Sequence, residues 1–265
     1  MMKPGLLLLK MLIIVYVLLC VLLYCIQEKL IFFPEKLAVD HVFRFSQPFE
    51  EINIHAPDNT LINGVLFTTD SARGLVFYLH GNAGSLQSWG QVASTYTHLH
   101  YDVFMPDYRG YGKSGGSISN EKQFYEDMQL AYDSLKKRYQ EKDIIVMGYS
   151  IGTGVATRLA AVNHPRLLVL HAPYYSLTDM LRHRFRIIPS FILQYKFANN
   201  TFLPQCSMPV VIFHGDQDEV IYYGSSLKLK KLFKPADTLV TLHGQGHNGI
   251  SDNPDYTAAL QKIIR

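Results

Sequence analysis

A Gly-Tyr-Ser-Ile-Gly pentapeptide at residues 148–152 constrains this chain most, because it separates a strand-like segment from a helix-like one. A mostly apolar run at residues 143–147 precedes it, and a helix-compatible stretch at residues 153–163 follows. A serine on such a sharp strand-to-helix turn is pushed out of the backbone, where its hydroxyl can attack a carbonyl carbon. We therefore predict that Ser150 is a nucleophile at the end of a buried strand.

Short β-type segments alternate with helical segments along the rest of the chain. The expected strands are residues 51–56, 61–68, 75–79, 103–105, 144–147, 167–170, 210–213 and 238–242. The first two read as a hairpin, and helices are expected at residues 86–99 and 119–140, the second capped by Ser119. The alternation predicts an α/β fold, with a mostly parallel eight-stranded sheet that carries helices on both faces.

Composition excludes several classes of function. The 265 residues are 48% apolar and 18% charged, which suits one large domain, and a net charge of +3 is too small to indicate nucleic-acid binding. The cysteine at Cys206 stands alone in the domain, so no disulfide is expected there. Histidines and acidic residues show no metal-ligand spacing, and we expect no metal and no cofactor.

The N-terminal segment is apolar enough to cross a bilayer. Residues 5–26 carry a single charge, at Lys10, and a helix of that length rises about 33 Å. A cleaved signal peptide is the alternative, but its apolar region is shorter and ends in small residues. We expect an uncleaved single-pass anchor at residues 1–27, a linker at 28–40 and the folded domain at 41–265.

Charges flanking the anchor do not fix its orientation. Lys3, Lys10 and the amino terminus on one side are balanced by Lys29, Lys36 and Arg44 on the other. The chain is thus predicted to be a single-pass membrane protein, and the side of the membrane that holds the domain stays open.

Polar motifs follow several of the expected strands, at the sheet edge where α/β proteins place their chemistry. His-Gly-Asn-Ala-Gly follows the third strand, at residues 80–84. Its glycines free backbone N–H groups, so we expect the N–H of Asn82 and that of Ile151 to form an oxyanion hole.

An acid and a base follow the last two strands. Residues 214–221 offer Asp216 and Asp218, and residues 243–248 offer His243 and His247. The chain order serine, acid, histidine is that of α/β hydrolases. Asp218 and His247 lie farther from their strand ends than the alternatives, so we favour Asp218 as the acid and His247 as the base. Asp216 is expected to hold its loop through its own backbone.

Taken together, these motifs resemble the bud-emergence-type α/β hydrolases, which are membrane-anchored serine hydrolases related to the animal α/β-hydrolase-domain depalmitoylases. The resemblance covers nearly the whole chain. It rests on the apolar N-terminus, on the motifs above, and on Leu-Ile-Phe-Phe-Pro at residues 30–34 and Asp-Tyr-Arg-Gly-Tyr-Gly-Lys-Ser-Gly-Gly at residues 107–116.

The resemblance implies a catalytic triad of Ser150, Asp218 and His247, with Asn82 and Ile151 as oxyanion donors. It implies no catalytic role for Arg109 or Ser114 within residues 107–116. The animal enzymes attach to membranes through an N-terminal cysteine cluster, whereas this chain has an apolar span. The resemblance therefore bears on the fold more than on the substrate.

A short cap over the nucleophile is expected at residues 172–207, where cations and large apolar residues mix between Arg182 and Phe197. Such a segment suits either a membrane interface or an ordinary lid helix. Three functions stay open. The favoured one is a membrane-tethered hydrolase of esters or acyl thioesters. The alternatives are a serine peptidase or amidase, and a non-catalytic membrane-attached module.

Overall fold

The structure is a computed structural model that describes residues 4–264. Lys3, part of the charge balance around the anchor, lies outside the described residues. The strands are β1 Phe49–His55, β2 Leu61–Phe67, β3 Leu75–Leu79, β4 Asp102–Pro106, β5 Ile144–Tyr149, β6 Leu167–His171, β7 Val210–Gly215 and β8 Thr238–Leu242. The helices are α1 Pro4–Ile31, α2 Leu86–Trp89, α3 Ala93–Thr97, α4 Glu121–Leu135, α5 Gly152–Val162, α6 Leu177–Arg184, α7 Asn199–Phe202, α8 Gly224–Lys230 and α9 Pro254–Ile263.

The strands form one sheet in the order β1-β2-β4-β3-β5-β6-β7-β8. β2 pairs antiparallel with both β1 and β4, and the remaining neighbours are parallel. α4 and α5 pack on one face of the sheet, and α3 and α9 pack on the other. The predicted fold, a mostly parallel eight-stranded sheet with helices on both faces, is confirmed.

Two predicted helices differ in detail. The single helix expected at residues 86–99 is broken into α2, a 3-10 turn and α3. The break falls at Gly90, where an added Cβ would collide with the Phe45 ring. Close packing against that ring therefore requires glycine here, although glycine is a poor helix former. The helix expected at 119–140 is α4, and its N-cap is Asn120 instead of Ser119: the Asn120 side chain accepts from Gln123 N at 2.8 Å.

α1 is longer than the predicted anchor and continues four residues into the predicted linker. Its most apolar window has a mean hydropathy of 3.1 and is 0% buried, so the helix is long and apolar enough to cross a membrane. The last turn packs on the domain instead, and Phe32, the residue after the helix, is buried against Phe124, Tyr195 and Phe197. The final turn of α1 is therefore part of the folded domain.

His171 ends β6 in an unusual environment. Both ring nitrogens are buried and find no hydrogen-bond partner within residues 4–264, and the ring lies against Tyr149, Phe213 and Tyr256. Burial lowers the pKa of this imidazole to about 3, because water no longer solvates the charged form. The folded protein thus holds His171 neutral at neutral and mildly acidic pH.

We expect this histidine to weaken the fold in acid. Below pH about 6.5 the unfolded chain takes up a proton that the folded chain refuses, so stability is complete above that pH and declines toward pH 3, by roughly 1.4 kcal/mol per pH unit. In His171→Phe the fall of the melting temperature between pH 7 and pH 4.5 should be smaller than in the parent. The exposed His55→Phe serves as control, and an unchanged slope in His171→Phe contradicts the explanation.

Candidate active site

The turn after β5 holds Ser150 in a left-handed backbone conformation, with a φ of 51°. Its N–H donates to His171 O at 2.9 Å, which fixes the turn against β6. A Cβ on Gly148 would lie 2.7 Å from that of Ala156, and one on Gly152 would collide with the carbonyl oxygens at the end of β3. Only glycine at these two positions lets strand and helix come together this closely.

An imidazole and a carboxylate extend from the serine in a hydrogen-bonded chain. His247 Nε2 lies 3.1 Å from Ser150 Oγ, and His247 Nδ1 lies 2.7 Å from Asp218 Oδ2. The loops after β5, β7 and β8 carry the three side chains, so residues far apart in sequence meet at one edge of the sheet. A carboxylate only accepts hydrogen bonds, so Nδ1 carries the proton and Nε2 is free to accept one from the serine.

The Asp218 carboxylate is buried and fully bonded. Oδ1 accepts from Val220 N and Ile221 N, each at 2.8 Å. Oδ2 accepts from His247 and lies 3.2 Å from His214 Nε2. Burial acts to raise the pKa of Asp218, but the hydrogen bonds from His214 and His247 outweigh it and hold the pKa well below its usual range. Asp218 therefore stays negatively charged beside His247.

His214 also contacts the acid, although the sequence motifs did not single it out. Its Nε2 does reach a backbone oxygen, Ile221 O at 2.9 Å, but it also faces the Asp218 carboxylate. Its Nδ1 lies 2.6 Å from Ser226 Oγ. Since both neighbours of Nε2 are acceptors, Nε2 carries the proton and Nδ1 accepts from the hydroxyl. The spacing of four residues between His214 and Asp218 was the available signal.

The alternative acid and base bind each other. His243 Nδ1 lies 2.9 Å from Asp216 Oδ2, and Gly244 N donates to Asp216 Oδ1 at 2.8 Å. The His243 side chain is 83% exposed, whereas that of His247 is 8% exposed. The expectation that Asp216 holds its own loop was too narrow, since its carboxylate also ties that loop to the neighbouring loop after β8.

The loop after β3 places Asn82 opposite Ile151, and both line the same cavity. The Asn82 side chain is already occupied: Oδ1 accepts from Phe33 N at 3.1 Å and from Tyr111 Oη at 2.8 Å, and Nδ2 donates to Ile31 O. The backbone N–H groups of Asn82 and Ile151 have no acceptor among the described residues. They remain available to an oxygen atom that enters the cavity.

The loop at residues 107–116 supports the fold beneath the site. Arg109 Nε donates to Asp127 Oδ2 and Arg109 Nη1 donates to Asp58 Oδ2, each at 2.6 Å. Ser114 Oγ donates to Asp107 O at 2.7 Å and accepts from Asn63 N at 2.9 Å. These contacts join the β1–β2 turn to α4, and they leave neither side chain facing Ser150.

A cap built on α6 covers a cavity of about 280 Å³ beside Ile151. The cap is tied to the loop that carries Asp218, because Arg184 Nη2 donates to Glu219 O at 2.7 Å and His183 stacks on Tyr222 with ring centres 3.9 Å apart. The cavity is lined by Ile31, Asn82, Ile151, Tyr174, Leu177, Met180, Leu181, Arg184, Phe185, Leu193, Val220 and Ile221. Within residues 4–264, no three His, Cys, Asp or Glu side chains are grouped as a metal site.

Comparison with known proteins identifies relatives of the chain. A family model described as serine aminopeptidase, S33, matches residues 70–202. The chain is 32% identical over 201 residues to alpha/beta hydrolase domain-containing protein 17B of Xenopus laevis, covering 73% of this chain and 67% of that protein. The Homo sapiens protein of the same name is 31% identical over the same number of residues, with the same coverage.

Solved structures share the fold at lower identity. The Pyrococcus furiosus esterase Pf2001 superposes with a TM-score of 0.70 at 18% identity, over 88% of this chain and 96% of that one. Est1E of Butyrivibrio proteoclasticus, solved with ferulic acid bound, gives a TM-score of 0.65 at 20% identity, over 80% of this chain and 96% of that one. At these identities the likeness establishes the architecture.

Proposed function

The chain belongs to the α/β hydrolase family and is a serine hydrolase, and from this membership we propose that it cleaves a carboxylic ester or acyl thioester through Ser150, His247 and Asp218. The observation that carries the proposal is the hydrogen-bonded chain from Ser150 Oγ through the His247 ring to the buried Asp218 carboxylate. A non-catalytic module places no demand on these three groups together, so the arrangement favours an enzyme.

The proposed reaction follows from the positions of the protons. His247 Nε2 removes the Ser150 proton as Oγ attacks the carbonyl carbon, and the imidazolium that forms is stabilised by anionic Asp218. The negative oxygen of the tetrahedral intermediate accepts from the N–H groups of Asn82 and Ile151. His247 then gives its proton to the leaving alcohol or thiol. Water, activated by the same imidazole, releases the acid from Ser150.

The cavity beside Ile151 favours an acyl group over a peptide amino terminus. A peptidase that removes N-terminal residues needs a carboxylate to pair with the substrate ammonium group. The residues that line this cavity are mostly apolar, and the charged one among them is Arg184. A serine peptidase, which the description of the matching family model suggests, is therefore the second candidate.

A substrate panel tests the choice between them. We expect the full-length protein in detergent to hydrolyse nitrophenyl acyl esters of graded length and to leave aminoacyl amides intact. Ser114→Ala, which changes a serine outside the site, should keep the ester activity. Amide cleavage that exceeds ester cleavage would support the peptidase. If the protein hydrolyses neither the esters nor the amides, hydrolysis by this site is refuted.

The same proposal includes attachment to a membrane through α1, with the cap segment between Arg182 and Phe197 at the lipid surface. Three apolar side chains there are exposed: Phe185 by 55%, Ile187 by 78% and Phe191 by 86%. Arg182 and Arg186 are exposed beside them, as an anionic interface would require. Release of the full chain from membranes by alkaline carbonate would contradict a spanning anchor.

A further inference from the structure

A second cavity adjoins the one beside the candidate oxyanion donors. It measures about 400 Å³ and lies between α1 and the cap. Its lining is Leu23, Gln27, Leu30, Ile31, Leu181, Phe185, Ile188, Ile192 and Leu193. Ile31, Leu181, Phe185 and Leu193 line both cavities. The two cavities are therefore neighbours that share an apolar wall. Together they form a line of apolar side chains, called the path below, from Ile151, which follows Ser150 in the chain, to the side of α1.

The α1 wall of this path is held by specific hydrogen bonds rather than by loose contact. Gln27 is 5% exposed: its Nε2 donates to Ile192 O at 3.2 Å, and its Oε1 accepts from Gln194 N at 2.8 Å. The end of the helix is bonded to Asn82, whose Nδ2 donates to Ile31 O. The same helix thus contacts both the cap and the loop that carries a candidate oxyanion donor.

The outer end of the path reaches the lipid-facing part of α1. The 28 residues of α1 rise about 42 Å, against a hydrocarbon core of about 30 Å, so its last turns project toward the domain. The cap also contacts the apolar part of α1, because Tyr16 Oη donates to Ile187 O at 2.6 Å. Tyr16 lies about 22 Å along the helix from Ile31. Leu23, between these two points, therefore lies at the membrane boundary or within it.

We propose that this path is the binding site for a long acyl chain, which passes from the bilayer between α1 and the cap until its carbonyl carbon reaches Ser150. The proposal rests on the proposed hydrolase function and adds the route by which the substrate enters: the acyl chain stays in the bilayer beside α1, while its carbonyl carbon reaches the site between this helix and the cap. The lining suits methylene groups, because seven of the nine residues around the outer cavity are Leu or Ile, and the others are Phe and Gln. In this view α1 is a wall of the substrate site as well as an anchor.

Blocking the outer cavity tests the path through chain-length selectivity. In Leu23→Trp and, independently, Ile188→Trp, we expect the ratio of hexadecanoyl to butanoyl ester turnover in vesicles to fall at least about tenfold, the size of discrimination that one or two methylenes give in an apolar pocket. Leu22→Trp, at a 51% exposed position that lines neither cavity, should leave the ratio unchanged. An unchanged ratio in both cavity variants, each shown to fold by thermal melting, overturns the proposal.

A covalent probe separates failure of the path from failure of the proposed function. A hexadecyl fluorophosphonate with a terminal diazirine is allowed to react with the full chain in vesicles, and photo-crosslinked peptides are mapped by mass spectrometry. We expect crosslinks within residues 23–31 or 181–193. Attachment at Ser150 with crosslinks only elsewhere refutes the path, whereas no attachment at Ser150 refutes the hydrolase mechanism itself. S-hexadecanoyl peptide and hexadecanoyl glycerol, compared in the same vesicles, distinguish a lipidated protein from a lipid as the source of the chain.

Discussion

Replacing Ser150 by alanine is expected to abolish both covalent labelling by a fluorophosphonate and ester hydrolysis, with a loss of about six orders of magnitude in turnover. Alanine retains the Ser150 N–H bond to His171 O and fits the same turn, so the fold should survive. What disappears is the oxygen atom that attacks the carbonyl carbon, and no neighbouring group replaces it. Gel-based labelling and nitrophenyl ester hydrolysis measure the two effects.

Ser114→Ala is the matched control for this variant. Ser114 lies in another glycine-rich loop, and among the described residues its buried hydroxyl bonds only to Asp107 O and Asn63 N. We expect this variant to lose some stability and to keep its labelling, because the hydroxyl has no part in the proposed chemistry. Labelling that persists in Ser150→Ala would show that Ser150 is not the nucleophile.

Asp218→Asn is expected to lower turnover by about ten-thousandfold. The carboxylate accepts from two backbone N–H groups and faces the N–H of both His214 and His247. An amide has only one oxygen, so its NH₂ group must meet histidine N–H groups or displace a backbone bond. His247 then takes the opposite tautomer, with a proton on Nε2, and can no longer accept the proton of Ser150.

Asp216→Asn is the control that distinguishes the two carboxylates. Asp216 bonds the exposed His243 and Gly244 N, and the hydrogen bonds from His243 and Gly244 lower its pKa without any contact to the site. We expect turnover within a few-fold of the parent and a small change in melting temperature. If Asp216→Asn loses most of its turnover while Asp218→Asn stays active, Asp216 and not Asp218 is the acid of the triad.

The fold could be predicted closely from the sequence, because its signals are local. Continuous apolar runs mark strands buried on both faces, and the glycines of residues 148–152 mark the turn between β5 and α5. The weaker predictions were helix boundaries. At Gly90 and Asn120 the outcome depended on packing against Phe45 and on a single capping side chain, which compete with the periodic pattern.

The three residues of the candidate triad could be predicted from the sequence, but the histidine that contacts its acid could not. The strand-end positions of Ser150, Asp218 and His247 were visible, because α/β sheets bring such loops to one edge. The contact of His214 with Asp218 was not visible in the sequence, although the two residues are close along the chain. It depends on the burial of both side chains, which only the folded structure shows.

The sequence by itself determined the architecture, the serine turn and the order of the polar loops, since each depends on residues within one strand, turn or helix. Only the tertiary structure decided which acid lies beside which histidine, and that α1 packs its last turn against the cap and the Asn82 loop. The contact between Gln27 and Ile192 joins residues 165 positions apart. Such contacts form because the whole fold buries apolar surface together, and no local pattern records which distant side chains that burial will bring into contact.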